Sequence, residues 1–396
     1  MTSGEVQVIR RQWWAWGIVA LVVAAAVAPL VHTWLTNPDD QRLVDLDVYR
    51  TGGQMLLEGR PVYDYFTPAP QLLPFTYPPV AAMLAVVLAK MSWDTAQWVW
   101  TAGIFVALAV TVALSFRPAL RKYVPWVFGL LMVACTYLMP IRDQVRFGQV
   151  DIMLVALCLA DCVARRPWWP RGFLIGLATA VKLTPGVFLI YLLVTRQWRT
   201  FFMASFVAAV LTLLPFAVIP GDAADFWFSA LLDPTRLGAN EATTNQSIRG
   251  MLLRLYWPEG LTSVLWLAIV AAVGWYGFRG ARDAYKADDP LTAVALVGLM
   301  AVLLSPVAWI HHLAWVVVVL GAIVGDGRDP VRLRVAAGVW LYYVVPVPWW
   351  GVSLKAADIP GVSLVLGKIV QNGFGLGALA LVWMLVSWLP KRREIP

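Results

Sequence analysis

Apolar runs of membrane-spanning length recur along this chain, and a soluble fold cannot bury so many. They lie at 13–36, near 79–91, and at 95–116, 124–140, 150–164, 172–195, 200–219, 262–278, 291–309, 313–325, 335–350 and 363–389. A helix needs about 20 apolar residues to cross a bilayer. Hydrophobic residues make up 60% of the 396 and charged residues only 14%, against roughly half and a quarter in soluble domains. A soluble globular enzyme, a disordered chain and a disulfide-stapled secreted domain are excluded. So is a transmembrane β-barrel, whose strands alternate in short segments. The fold class expected is all-α: a polytopic membrane protein with about ten transmembrane helices (8–12).

Basic clusters punctuate the runs and set the topology by the positive-inside rule. Arg10/Arg11, Arg117/Arg121/Lys122, Arg165/Arg166/Arg171, Arg196/Arg199, Arg279/Arg282/Lys286, Arg328/Arg332/Arg334 and Lys391/Arg392/Arg393 all read as cytoplasmic. The net charge of +8 is then a matter of topology and attraction to anionic lipids rather than nucleic acid. Paired tryptophans where runs meet loops (Trp13/Trp14, Trp168/Trp169, Trp349/Trp350) form an interfacial belt. Cys135, Cys158 and Cys162 lie within apolar runs and show no metal-ligand spacing. The first run reads as a retained span rather than a removed signal peptide.

The chain divides as one integral membrane domain, 1–396. Segment 13–36 is the first span and 37–78 the first extracytoplasmic loop. Residues 79–325 are a transmembrane core with outer loops 141–151 and 220–261, and 326–396 are C-terminal helices. Parity between the basic clusters makes 79–91 re-entrant or interfacial. The run 172–195 has basic residues at both ends, so it reads as two short arms meeting outside at Lys182–Pro185. Within the first loop, 46–58 is expected to be a short helix on the membrane surface, stopped by Gly59. The polar loops then share one face.

Those loops hold the residues that could do chemistry. In VDLDVYRTGG (44–53), Asp45 and Asp47 are either solvated loop carboxylates or, held against apolar side chains, candidates for a general base. The DxD pattern also suggests a divalent metal, weakly, because cytoplasmic nucleotide sugars lie on the other face. PFTYPP (74–79) fixes an extended, re-entering segment. IRDQVRFGQVD (141–151) places Arg142, Asp143, Arg146, Gln149 and Asp151 between apolar runs, where ionisable groups are paired or functional. Lys182 in AVKLTP is a lone cation that either snorkels or binds phosphate as a point charge. In TTNQSIRG (243–250), Asn245, Gln246 and Arg249 offer amides for hydroxyls and a fork for phosphate, or Thr244 or Asn245 simply caps a helix. In SPVAWIHHLAW (305–315), Trp309 could stack on a sugar. His311 and His312 are about 100° apart on a helix and would not chelate one metal. Carboxylate, cations, amides, histidines and an aromatic face together suit a substrate made of sugar hydroxyls, a phosphate and a lipid tail.

The ordered set VDLDVYRTGG, PFTYPP, FGQVD, AVKLTP, TTNQSIRG and SPVAWIHH resembles glycosyltransferase family 87 over residues about 40 to 320. These are GT-C polyprenol-phosphate-mannose-dependent α-mannosyltransferases, similar in particular to the actinobacterial enzymes of phosphatidylinositol mannoside, lipomannan and lipoarabinomannan synthesis. The resemblance implies a multi-pass plasma-membrane enzyme with a cytoplasmic N-terminus and an extracytoplasmic active site. It implies transfer of mannose from a polyprenyl-phosphate donor to a hydroxyl of a mannosylated lipid or lipoglycan, α-1,2 and inverting. The base it implies is Asp45, which opens the family's D-x-x-V-Y motif. Some relatives carry His where this chain has Asp47, which leaves Asp47 a supporting or substrate-binding role. Substrate-binding positions would include Tyr49, Tyr77, Arg146, Gln149, Lys182, Asn245, Gln246, Arg249, Trp309, His311 and His312. No cofactor beyond the lipid-linked donor and no divalent metal is expected. Membrane lipids are the remaining partners, and the sequence identifies no protein partner. Transfer of arabinose or glucose, or flipping of a lipid-linked sugar, remain the alternatives. A scaffolding role would leave the outer polar clustering unexplained.

Overall fold

A computed structural model describes residues 13–38, 41–121 and 124–393. The clusters Arg10/Arg11, Asp39/Asp40 and Lys122 lie outside the described residues. In chain order the first helices are α1 (Trp13–Thr36), α2 (Val44–Leu57), α3 (Pro79–Ala89), α4 (Trp93–Ser115), α5 (Val124–Thr136), α6 (Met139–Phe147) and α7 (Asp151–Val163). Next come α8 (Phe173–Val181), α9 (Val187–Val194), α10 (Trp198–Val218), α11 (Pro220–Phe228), α12 (Ile248–Leu253), α13 (Glu259–Lys286), α14 (Pro290–Leu303) and α15 (Val316–Val324). Helices Pro330–Val344, Val347–Ala356, Ser363–Gln371 and Gly373–Trp383 follow. Among the described residues the only strand-like pairings are two isolated bridges, Phe66 with Pro74 and Asn245 with Trp309.

The molecule is an all-α, multi-pass membrane protein. Five helices are long and apolar enough to cross a bilayer: α1, α4, α10, α13 and Gly373–Arg392. Counting each bent pair as one span raises this to seven. The other expected spans are shorter apolar helices, because the runs are interrupted by the residues that punctuate them. Pro140 follows one break and Pro346 and Pro348 flank another, and the bends there are 74° and 51°. Helix α3 has 11 residues, about 16 Å of rise, which is half of a bilayer core. The run 172–195 breaks as expected: α8 ends at an extended Lys182, a 3₁₀ turn covers Thr184–Gly186, and α9 follows.

Two expectations need correction. Segment 141–149 is not a loop. It is helix α6, opened by Pro140 in its first turn and closed by Gly148 at φ 70°. Arg142 and Arg146 are exposed while Ile141, Asp143, Gln144 and Val145 are buried, so its charges mark one face of a helix. The helix at 44–57 is not simply laid on a surface either. Its TGG segment is buried against α3 and the PFTYPP strap. A Cβ on Gly53 would meet the Ala85 carbonyl at 2.5 Å, and one on Gly52 the Phe75 ring at 2.6 Å. Gly59 (φ 65°) does lie just past its end. The core centres on α14 and α15, whose side chains are almost all buried.

Candidate active site

Asp45 lies in the first turn of α2, and its position is set from α6. Leu43, left-handed at φ 52°, donates its N–H to the Arg146 carbonyl at 2.9 Å. A Cβ on Gly148 would come within 2.8 Å of the Leu46 Cβ, so this close approach requires glycine there. Trp100 seals the joint by donating to the Gly148 carbonyl at 2.7 Å. The next residue, Gln149, is thereby brought to Asp45 and hydrogen-bonds its carboxylate. The Gln149 Oε1 accepts from the Tyr49 hydroxyl at 3.2 Å and from Tyr77 at 3.5 Å, and the two hydroxyls lie 2.9 Å apart. Tyr49 is one helical turn after Asp45 and shares its face. Asp47 is about 200° around the same helix and turns to Arg50 and Thr51 instead.

Asp45, Tyr77, Gln149, Trp309 and His311 line a cleft of about 580 Å³, within the ordinary range for a small-molecule site. Enclosure raises the Asp45 carboxyl to about 7, against the opposing effects of Lys182 and the Gln149 hydrogen bond. Burial also pushes the Tyr77 hydroxyl up to about 12, so near neutrality it is a donor. Asp143, Thr244 and Arg236 also line the cleft.

Next to Tyr77 lies a second polar cluster. Because α8 ends in an extended residue, Lys182 leaves the helix axis. Its Nζ reaches Asp151 Oδ1 at 2.8 Å and His312 Nε2 at 3.1 Å, and sits 5.3 Å from the Tyr77 ring centre. His311 and His312 belong to a 3₁₀ turn, Ile310–Trp315, and both Nε2 atoms face Asp151 Oδ2, at 3.7 and 3.8 Å. The 100° separation expected on an α-helix does not apply, because the 3₁₀ turn brings both rings to one carboxylate. The three side chains offer donor atoms within 4.8 Å of one another, spacing that a metal could use. The Trp309 N–H lies 3.2 Å from His312 Nδ1 and the Lys182 ammonium 3.1 Å from its Nε2, so a donor faces each ring nitrogen, and a neutral imidazole accepts at only one of them. Asp151 is the anion that this cluster already holds, bonded to Lys182 and facing both histidines.

The residues of TTNQSIRG are placed differently. Asn245, Gln246 and Ser247 are wholly buried. Asn245 Oδ1 accepts from the N–H groups of Ser247 and Ala308, and its Nδ2 donates to the Asn240 carbonyl. Gln246 donates to the carbonyls of Thr243 and Gln371 and accepts from the Gly375 N–H. Both amides are occupied by backbone. Asn245 holds the 305–310 segment, and so Trp309 and the histidines, in place through Ala308, while Gln246 ties the 371–375 segment. Arg254 braces them from α12's C-cap, donating to the Asn245 carbonyl at 2.7 Å. The α12 N-cap is Ser247, not Thr244 or Asn245. Arg249 stacks over Trp266 with 5.3 Å to the ring centre and does not line the cleft. Arg146 is exposed and bonded to Gln41 at 3.0 Å, also away from the cleft.

Sequence reasoning passed over Gln144 and Arg236 as site residues and named Asp151 only as an ionisable group that is paired or functional. Gln144 is wholly buried and joins α6 to the histidine turn through the His311 carbonyl at 2.8 Å. Asp151 was legible as an intramembrane carboxylate fourteen residues before Arg165, the start of the next basic cluster. Arg236 carries no local signal in its PTRLG setting.

The sequence profile of glycosyltransferase family 87 matches residues 75–306. A polyprenol-phosphate-mannose-dependent alpha-(1-2)-phosphatidylinositol mannoside mannosyltransferase of Mycolicibacterium smegmatis is 35% identical, over 84% of this chain and 82% of its own length. A polyprenol-phosphate-mannose-dependent alpha-(1-2)-phosphatidylinositol pentamannoside mannosyltransferase of the same species is 30% identical, over 83% and 81%. Among solved structures, apo ArnT of Cupriavidus metallidurans aligns with 93% of this chain and 77% of that one, at 17% identity. The TM-score of that superposition is 0.40. An all-helical membrane fold with a half-buried carboxylate at the wall of a cleft suits a membrane-embedded group transferase. The chain belongs to glycosyltransferase family 87 and is a membrane glycosyltransferase.

Proposed function

We propose that this enzyme moves mannose from a polyprenyl-phosphate donor to a hydroxyl of a phosphatidylinositol mannoside, forming an α-1,2 linkage with inversion. The observation that carries the reading is Asp45: a carboxylate raised to about 7, held by Gln149 at the wall of a cleft. A base works best when its pKa lies near the working pH. The acceptor oxygen forms its bond to the anomeric carbon as the bond from that carbon to the phosphate oxygen breaks. The hydroxyl proton passes to Asp45, and the electron pair leaves with the phosphate. The leaving phosphate is a stable anion and needs electrostatic support more than a proton. Lys182 Nζ supplies it, with the His312 ring beside it, and Tyr49 and Tyr77 keep Gln149 aimed at the base. Lys182 is the cation of this corner, and no metal is needed there. The names of the similar mannosyltransferases support donor and acceptor. The positive-inside pattern supports an extracytoplasmic cleft and a cytoplasmic N-terminus.

The test uses purified protein in nanodiscs with radiolabelled polyprenyl-phosphate mannose and a phosphatidylinositol mannoside. Wild type should transfer. Asp45→Asn should bind both lipids and lose turnover by about 10²–10⁴-fold. An Asn variant with near-normal turnover would remove Asp45 from the role of base. Transfer of arabinose or glucose in place of mannose would redirect the donor assignment.

A further inference from the structure

The two lips of the cleft mouth are loops, and both are greasy. Phe66 and Leu72 on the first loop are 46% and 59% exposed and line the cleft. Leu237 on the second loop also lines it, and Leu232 nearby is 71% exposed. None of these belongs to a spanning helix, so their exposure is not that of a lipid-facing span. Exposed apolar side chains that rim a cleft are suited to contact with lipid. The loops are tied together, since Asp222 accepts the Val62 N–H at 2.7 Å and Arg236 donates to the Tyr63 carbonyl at 2.7 Å.

Arg236 stands at this mouth and lines the cleft. Its Nη2 serves the Tyr63 and Phe75 carbonyls, while its Nε is buried with no acceptor. Among the described residues its guanidinium joins no ion pair. A guanidinium with donors to spare beside an apolar rim is suited to a phosphate oxygen.

Each substrate of the proposed reaction carries a phosphodiester, and their chemistry separates them. The donor phosphate is bonded to the reacting carbon, so it must lie at the base, near Lys182 and His312. The acceptor phosphate is separated from the reacting hydroxyl by inositol and mannose, so it must lie away from the base and level with the glycerol. We propose that Arg236 binds the phosphodiester of the lipid acceptor, with the acyl chains leaving between the Phe66/Leu72 and Leu237 lips. The inference rests on the reading given under Proposed function.

The experiment compares wild type, Arg236→Lys and Arg236→Gln in nanodiscs with two acceptors: a phosphatidylinositol mannoside and an alkyl α-mannoside that lacks phosphate. Arg236→Gln should raise KM for the phospholipid acceptor by about tenfold or more, with Arg236→Lys between, as for loss of a charged hydrogen bond. Donor KM should not move, and the alkyl mannoside should be used equally by all three. A shift in donor KM instead would assign Arg236 to the donor phosphate and overturn the proposal. Equal loss on both acceptors would make Arg236 a strut for Tyr63 and Phe75. If wild type turns over neither acceptor, the functional reading fails separately. Equilibrium binding of fluorescent phosphatidylinositol to wild type and Arg236→Gln then decides the Arg236 site: weaker binding by the variant sustains it, and equal binding ends it.

Discussion

VDLDVYRTGG and TTNQSIRG look alike as sequence, each a polar island rich in hydrogen-bonding groups between apolar runs. In the structure they differ. The first leaves a carboxylate at a cleft wall, supported by one amide and two tyrosine hydroxyls. The second turns both its amides onto backbone N–H and carbonyl groups, with nothing left for a ligand. Within a membrane protein an irregular backbone segment must have its polar groups met by the chain itself, and TTNQ does this for the 305–310 segment. A polar motif is therefore a candidate site only when its hydrogen-bonding capacity is left open.

That contrast can be tested by substitution, beginning where the largest effect is expected. Lys182→Met should cost about 3–5 kcal/mol in stability, as removal of one partner from a buried ion pair does. Lys182→Met with Asp151→Asn should regain most of that loss in a thermal melt while transfer stays abolished. Recovery of activity in the double variant would remove Lys182 from phosphate binding. Asn245→Ala should orphan the Ser247 and Ala308 N–H groups and lower stability by about 2–4 kcal/mol. Its KM values should change little at temperatures where it is folded. A specific rise in donor or acceptor KM would return Asn245 to the binding residues.

A smaller effect concerns pH. Asp45 must be ionised to accept a proton, and its pKa of about 7 places the active form above neutrality. The kcat/KM should fall about tenfold per unit below pH 7 and level off above it. For stability the sign is opposite. A carboxyl raised in the folded state favours the protonated fold, so Asp45 costs stability increasingly as pH rises from 4 toward 7, and Asp45→Asn should remove that dependence. The smallest effect is expected at Arg249. Arg249→Ala loses only its stacking on Trp266, worth about 0.5–1 kcal/mol, with transfer unchanged.

Much of the fold was legible because its breaks are local. Lys182 and Pro185 announce the split between α8 and α9, and Gly59 announces the end of α2. Segment 141–149 was misread because its charges look like a loop when counted and like a helix face only when spaced. Among the described residues five to seven long spans, with four shorter apolar helices besides, stand beside the ten or so expected, because hydropathy does not register a 74° bend. Within the site, the facing of Asp45 and Tyr49 follows from their spacing, and so does the turning away of Asp47. The meeting of His311 and His312 at Asp151 does not, since it depends on a 3₁₀ turn and on a residue 160 positions earlier. Arg236 was invisible because its role depends on carbonyls of a different loop.

Gly148 has one further consequence. Its contact with Leu46 and the Leu43 to Arg146 bond fasten the start of α2 to the end of α6. Asp45 and its partner Gln149 are therefore carried on one rigid joint rather than on two independently tilting spans. When the bilayer thins, thickens or bends, the long helices can tilt while the spacing of Asp45 and Gln149 is kept. The joint insulates the chemistry from the mechanics of the membrane in which it works.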